Sequence, residues 1–170
     1  DLARGAQAAN DLLRQYGFTE TENHCNEWNY FPGVEYWSQL HDPDKPEASV
    51  QVFDTISSAT GAAFNAAAIT LAQDSPLDVA MFYCGDSTRF GLFEGLFRAG
   101  VARKNYYVFL AIRQFESAIG RVQVHGQDPH AGMTLLAGLS DRADQAVVLL
   151  SNFSHPARSA SLRLDNLPWN

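Results

Sequence analysis

The chain has 170 residues, an apolar fraction of 46% and a formal net charge of −7, which is enough for one ordinary domain or two small ones with a real core and excludes a disordered chain. Lysine occurs only at Lys45 and Lys104, so no basic patch suited to nucleic acid or anionic lipid is expected. No apolar run approaches the roughly 20 residues that span a bilayer, and the start lacks a basic segment followed by an apolar core and a small-residue cleavage site.

Leu2, Ala6, Ala9, Leu12, Leu13 and Tyr16 recur at helical spacing, with Arg4, Gln7, Asp11 and Arg14 between them. This predicts an amphipathic helix closed by Gly17. A strand follows from about Glu22 to Trp28, whose alternation places Asn23, Cys25 and Glu27 on one face and His24, Asn26 and Trp28 on the other. Residues Val34 to Val52 are rich in Asp, Pro and aromatics (Tyr36, Trp37, His41) and read as a long loop forming a pocket wall. The Ala-rich run from Ser57 to Gln73 predicts a buried helix able to approach a sheet closely. Val79 to Cys84 is a short apolar run bounded by turn residues, the pattern of a parallel strand covered on both faces. A Gly- and Phe-rich connection over 85–100 leads to a helix at Arg103 to Glu116.

From Gly120 the texture changes to short β runs: Arg121 to His125, Met133 to Leu139, Ala146 to Asn152 and Ser159 to Leu164. The order predicts an α/β segment over 1–119 and a sandwich-like all-β module over 120–170. Asp1 enters directly into a helical pattern and the chain stops just after a strand-like run, so both ends read as cut and only part of a site is expected. Cys25 and Cys84 lie outside any CxxC spacing and the five histidines are scattered, which predicts free thiols, no metal and no cofactor.

The chemistry concentrates in NHCNEWNY, Asn23 to Tyr30. Glu27 is flanked by the amides of Asn26 and Asn29 and by the flat rings of Trp28 and Tyr30. Amide donors favour the ionised form of a carboxylate, which is the form a nucleophile needs, and flat rings suit sugar stacking.

The stretches YGFTETENHCNEWNY, SPLDVAMFY, GLFE and RKNYYVFLAIRQF resemble the carboxyl-terminal part of a clan A retaining glycoside hydrolase, nearest to glycoside hydrolase family 39, the xylosidase-like group. The resemblance covers about 1–119 and implies the last strands and helices of a (β/α)8 TIM barrel, with the small β-domain of such enzymes following. Active sites of these barrels lie at the carboxyl ends of the strands. Only one further βα unit follows Glu27, so the resemblance matches it to the nucleophile that ends the seventh strand. Asn26, Trp28, Asn29 and Tyr30 would then bind substrate. So would Tyr83, which stands where many members end the eighth strand near a tryptophan.

Retaining hydrolysis needs a second carboxyl group roughly 5 to 5.5 Å away. None of Glu22, Glu35, Asp86 or Glu94 sits in the family's acid/base motif, which places that partner upstream of Asp1. The implied protein is a β-xylosidase-like O-glycosidase acting on a carbohydrate substrate. This chain alone is expected to be an inactive fragment that needs the missing barrel half or self-associates. The alternatives are a non-catalytic sugar-binding or scaffold module built on Trp28, Tyr30, Tyr36 and Trp37, or a purely structural protein.

Overall fold

The structure is a computed structural model that describes residues 2–35, 38, 42–86, 89–95, 100–118, 120–127 and 131–169. Helix α1, Leu2–Gln15, forms on its predicted spacing and buries Ala6. Gly17 closes it at φ 82°, with Phe18 N–H returning to the Leu13 carbonyl and Gly17 N–H to that of Arg14. This is the 6→1 and 5→2 closure that a left-handed residue permits.

Strand β1, His24–Trp28, then pairs in parallel with β2, Val79–Phe82, as the sequence predicts. A reciprocal pair of bonds sets the start of this sheet. Asp78 N–H donates to the Asn23 carbonyl at 2.9 Å, and Asn23 N–H donates to the Asp78 carboxylate at 2.7 Å. The Asn23 side chain donates to the Ala6 carbonyl at 2.8 Å and so ties α1 to the same corner.

The stretch read as one loop from Val34 to Val52 contains the start of a helix. Helix α2, Pro46–Ile56, begins with proline in its first turn and Glu47 beside it, both favourable at a helix start because Pro fixes φ and a carboxylate complements the dipole. Tyr36, Trp37 and His41 lie outside the described residues. Helix α3, Ala59–Ala72, follows, capped by Ser58, whose hydroxyl accepts from Thr60 N–H at 3.1 Å.

Helix α4, Lys104–Arg113, continues into a 3-10 turn, Gln114–Ser117. Three antiparallel strands complete the chain: β3, Gly120–Arg121, β4, Met133–Leu139, and β5, Ala146–Asn152, in that order across the sheet. Two of the expected β runs correspond closely to β4 and β5. The run at Arg121 to His125 shrinks to the two residues of β3, and Ser159 to Leu164 forms no strand. The tail over 160–168 instead lies beside the outer face of this sheet across a groove of about 770 Å³, lined in part by Leu135, Val148, Leu150, Leu162 and Leu164.

The architecture is therefore mixed α/β with two small sheets. Among the described residues there is no closed barrel and no second sheet to make a sandwich. The expected double cover of β2 is also absent: Ala80 is exposed and Met81 is 48% exposed, so both faces of the strand are open in part.

Helix α3 is the centre of the packing. It is apolar around most of its circumference and touches α1, α2, α4, β4 and β5, as such a helix must. Its Ala66, Ala67 and Ala68 are buried with Val52 and Ile56 of α2, Val108 of α4 and Leu136 of β4. Ser151 of β5 donates to the Ala63 carbonyl at 2.6 Å, so the antiparallel sheet shares a core layer with the parallel part. Asn105 of α4, fully buried, donates to the Ile56 carbonyl at 3.1 Å.

Gly61 approaches the same carbonyl, and a Cβ built there would stand 1.9 Å from its oxygen. Alanine for a mid-helix glycine ordinarily stabilises by up to about 1 kcal/mol. Gly61→Ala is expected to reverse that sign and destabilise by about 2 kcal/mol through overpacking, lowering the urea midpoint with the slope unchanged. Gly5→Ala in α1, where an added Cβ meets nothing within 4 Å, is the matched control and should raise the midpoint. An unchanged midpoint for Gly61→Ala would show that the corner yields.

Candidate functional site

The carboxyl end of β1 does not keep the simple alternation of a flat strand. Cys25 pairs with Ala80 and Trp28 with Phe82, so three steps along β1 match two along β2. One extra residue is therefore accommodated at Asn26 and Glu27, a β-bulge, which bends a strand and re-aims its side chains.

Parallel partners share a face, and Ala80 and Phe82 are two residues apart, so Cys25 and Trp28 point to the same side. The alternation predicted from sequence is corrected here. Trp28 meets Phe82 edge-on at 5.3 Å, and Phe82 meets Phe109 of α4 at 4.9 Å. That side is the helix layer. Trp28 thus packs behind the sheet, with its indole N–H buried and without a hydrogen-bond partner among the described residues. It is not an open stacking platform beside Glu27.

Glu27 and Asn26 are exposed. Met81 and Tyr83 share one face of β2 by alternation and are exposed. Among the described residues no hydrogen bond reaches the Glu27 carboxylate and none is made by the Asn26 side chain. The amide clamp expected around Glu27 is therefore not formed by its neighbours in sequence.

Asn29 is engaged elsewhere. Its Nδ2 donates to the Tyr83 carbonyl and, at 3.2 Å, to the Phe90 carbonyl, while its Oδ1 accepts from Tyr30 N–H at 2.6 Å. Tyr83 N–H in turn donates to the Trp28 carbonyl at 2.9 Å. Tyr30 turns away from the strand ends into a triangle of rings with Phe64 and Phe153, at 5.0 and 5.6 Å. This makes it an anchor between α3 and the end of β5. Tyr83 is 43% exposed and lies 5.9 Å from the Phe90 ring. The site residues thus divide: Glu27, Asn26 and Tyr83 lie open at the strand ends, whereas Trp28, Asn29 and Tyr30 are tied into the framework.

Sequence reasoning passed over the connection after β2. Arg103, at the start of α4, donates through Nη1 to the Arg89 and Gly91 carbonyls at 2.8 and 3.4 Å. The Arg89 guanidinium lies 5.0 Å over the Phe53 ring of α2 and donates to Ser49 Oγ at 3.1 Å. Phe90 meets Phe53 edge-on at 5.0 Å. The segments that follow the two strands are therefore latched together above the strand ends. The Gly and Phe content of 85–100 is the sequence signal that could have found this connection. Among the described residues no group of three or more His, Cys, Asp or Glu is placed to hold a metal ion.

No protein-family model and no curated protein matches this sequence. Among solved structures, a glucosidase from Croceicoccus marinus is similar, with a TM-score of 0.63 and 25% identity over 92% of this chain and 30% of that one. This chain has a glycosidase-like fold, and it spans about a third or less of the length of that glucosidase.

The register also decides the thiols. Cys25 lies opposite Ala80, four positions before Cys84, which at the rise of an extended chain is about 13 Å along the sheet. Neighbouring strands therefore do not bring the two thiols side by side. Neither cysteine is in a disulfide. Mild oxidation should leave two titratable thiols per denatured chain, and loss of both as an intramolecular pair would contradict the register.

Proposed function

We propose that this chain is the carboxyl-terminal part of a retaining O-glycosidase related to glycoside hydrolase family 39, carrying the last two βα units of its (β/α)8 barrel and the start of a β-sandwich. Glu27 is the nucleophile and Tyr83 contributes to the sugar subsite. The observation that carries this reading is the exposed Glu27 on a bulge at the carboxyl end of a parallel strand, the position where barrel enzymes place their chemistry. Tyr83 at the end of the adjacent strand and the likeness to a glucosidase support it.

In this mechanism the ionised Glu27 carboxylate attacks the anomeric carbon, and a protonated carboxyl group from upstream strands assists the leaving oxygen. Water then hydrolyses the glycosyl ester while the same group acts as base. Asn26, exposed beside Glu27, is the amide free to meet a sugar hydroxyl. The two-stranded sheet has open edges, and Met81 and Tyr83 are exposed on one face. In the complete enzyme the remaining barrel strands pair with those edges and cover Met81; the isolated chain self-associates through them. Light scattering on the 170-residue chain should therefore show more than a monomer.

One observation favours a second reading, a sugar-binding module without catalysis: no hydrogen bond orients the Glu27 carboxylate among the described residues. Labelling separates the two. In the polypeptide that contains the upstream strands, a 2-deoxy-2-fluoro glycoside with an activated leaving group should esterify Glu27, because fluorine slows both steps and the good leaving group spares the first. Glu27→Gln should lower turnover by about 10⁴-fold or more with sugar binding largely retained. A label on another carboxylate, or turnover intact in Glu27→Gln, transfers the role elsewhere.

A further inference from the structure

We propose that Asn29 is a positioning residue, a clamp that locks the carboxyl ends of β1 and β2 to the turn at 89–91, and that it is not a sugar ligand. The consequence for catalysis rests on the assignment of Glu27 as nucleophile; the clamp itself does not.

A primary amide has two donor hydrogens and one carbonyl oxygen. Both donors of Asn29 are spent on main-chain carbonyls, those of Tyr83 and Phe90, and its oxygen already accepts from Tyr30 N–H. No N–H remains to offer a sugar hydroxyl. The two carbonyl partners lie 54 and 61 positions away in sequence yet converge on one side chain two residues after Glu27.

The Phe90 carbonyl is the middle one of three held in succession. Arg103 takes those of Arg89 and Gly91, and Asn29 takes the one between. Two side chains from opposite ends of the site thereby staple the same turn. Tyr83 is gripped at both of its backbone groups by the end of β1: its N–H by the Trp28 carbonyl and its C=O by Asn29. The strand end that bears Glu27 and the backbone of Tyr83 are therefore held together through Asn29. Aspartate at this position would keep an acceptor for Tyr30 N–H but present oxygens to two carbonyls. Alanine would only remove the bonds.

The test has two arms. In the 170-residue chain, amide exchange is followed for peptides covering 85–95 and, as the report on folding, for 133–152. Asn29→Ala should accelerate exchange in 85–95 about tenfold, the worth of a lost hydrogen bond in a local opening, and Asn29→Asp more, with 133–152 unchanged. Arg103→Ala should do the same, and the double variant should fall short of the product of the two effects, since both act on one turn. Where Asn29→Asp disturbs 133–152, Asn29→Ser, which keeps one short donor, takes its place and should lie between wild type and Asn29→Ala. Unchanged exchange in 85–95 overturns the clamp.

In the polypeptide that contains the upstream strands, assayed on an aryl glycoside, Asn29→Ala should lower kcat on the order of a hundredfold through misplacement, with KM nearly unchanged. A raised KM with kcat intact would make Asn29 a sugar ligand and overturn the proposal. Accelerated exchange together with an inactive wild-type polypeptide would remove the glycosidase reading and leave the clamp in place.

Discussion

The packing of the whole chain depends on how closely the corner at Ile56 can be approached. The carbonyl that ends α2 is met by Gly61, which has no Cβ to hold α3 off, and by the buried amide of Asn105 from α4. Three helices are thereby fixed at one point. From that point α3 runs as a narrow, alanine-faced rod against α1 on one side and β4 and β5 on another. Small side chains shorten the distance between layers, and the energy comes from area removed from water over several short contacts rather than from a few large residues. The Ser151 bond to Ala63 closes the last of these layers.

A second constraint acts at the strand ends. The Asn23 and Asp78 pair sets where β1 and β2 begin, and the bulge at Asn26 and Glu27 sets how they finish. A bulge costs ladder bonds, and here it turns two polar residues outward while Trp28 returns to the helix side against Phe82. The carboxylate is thus presented by the backbone, and the residues beside it in sequence do other work. Tyr30 joins Phe64 and Phe153, so the segment leaving the site is anchored to the antiparallel sheet. A disturbance of that sheet has a direct route to the strand end that bears Glu27.

The connection after β2 is the third part of the site. Arg103 and Asn29 hold its main chain, and Arg89 and Phe90 hold it against Phe53 of α2. Cation–ring and ring–ring contacts of this kind stabilise by about 0.5–1.5 kcal/mol each, enough together to favour one arrangement of an otherwise irregular segment.

The sequence by itself determined the elements with a strong period or a sharp boundary. Helix α1 with its glycine closure, the alanine-rich α3, and the strands β1, β2, β4 and β5 as separate elements all follow from local patterns that outlast any particular packing. It also singled out Glu27 as a carboxylate near the carboxyl end of a strand. Tertiary structure decided what local pattern does not encode. Pro46 reads equally as loop or first helical turn, and Ser159 to Leu164 has strand alternation but gains no partner with which to form a ladder. The faces of Cys25, Glu27 and Trp28 depend on an inserted residue that is defined only by the register against β2, and a one-residue slip moves every later side chain to the other face. The same holds for Asn29 and Tyr30: their partners Tyr83, Phe90, Phe64 and Phe153 are distant in sequence, so whether an amide or a ring serves a ligand or the framework is settled only when the chain brings them together.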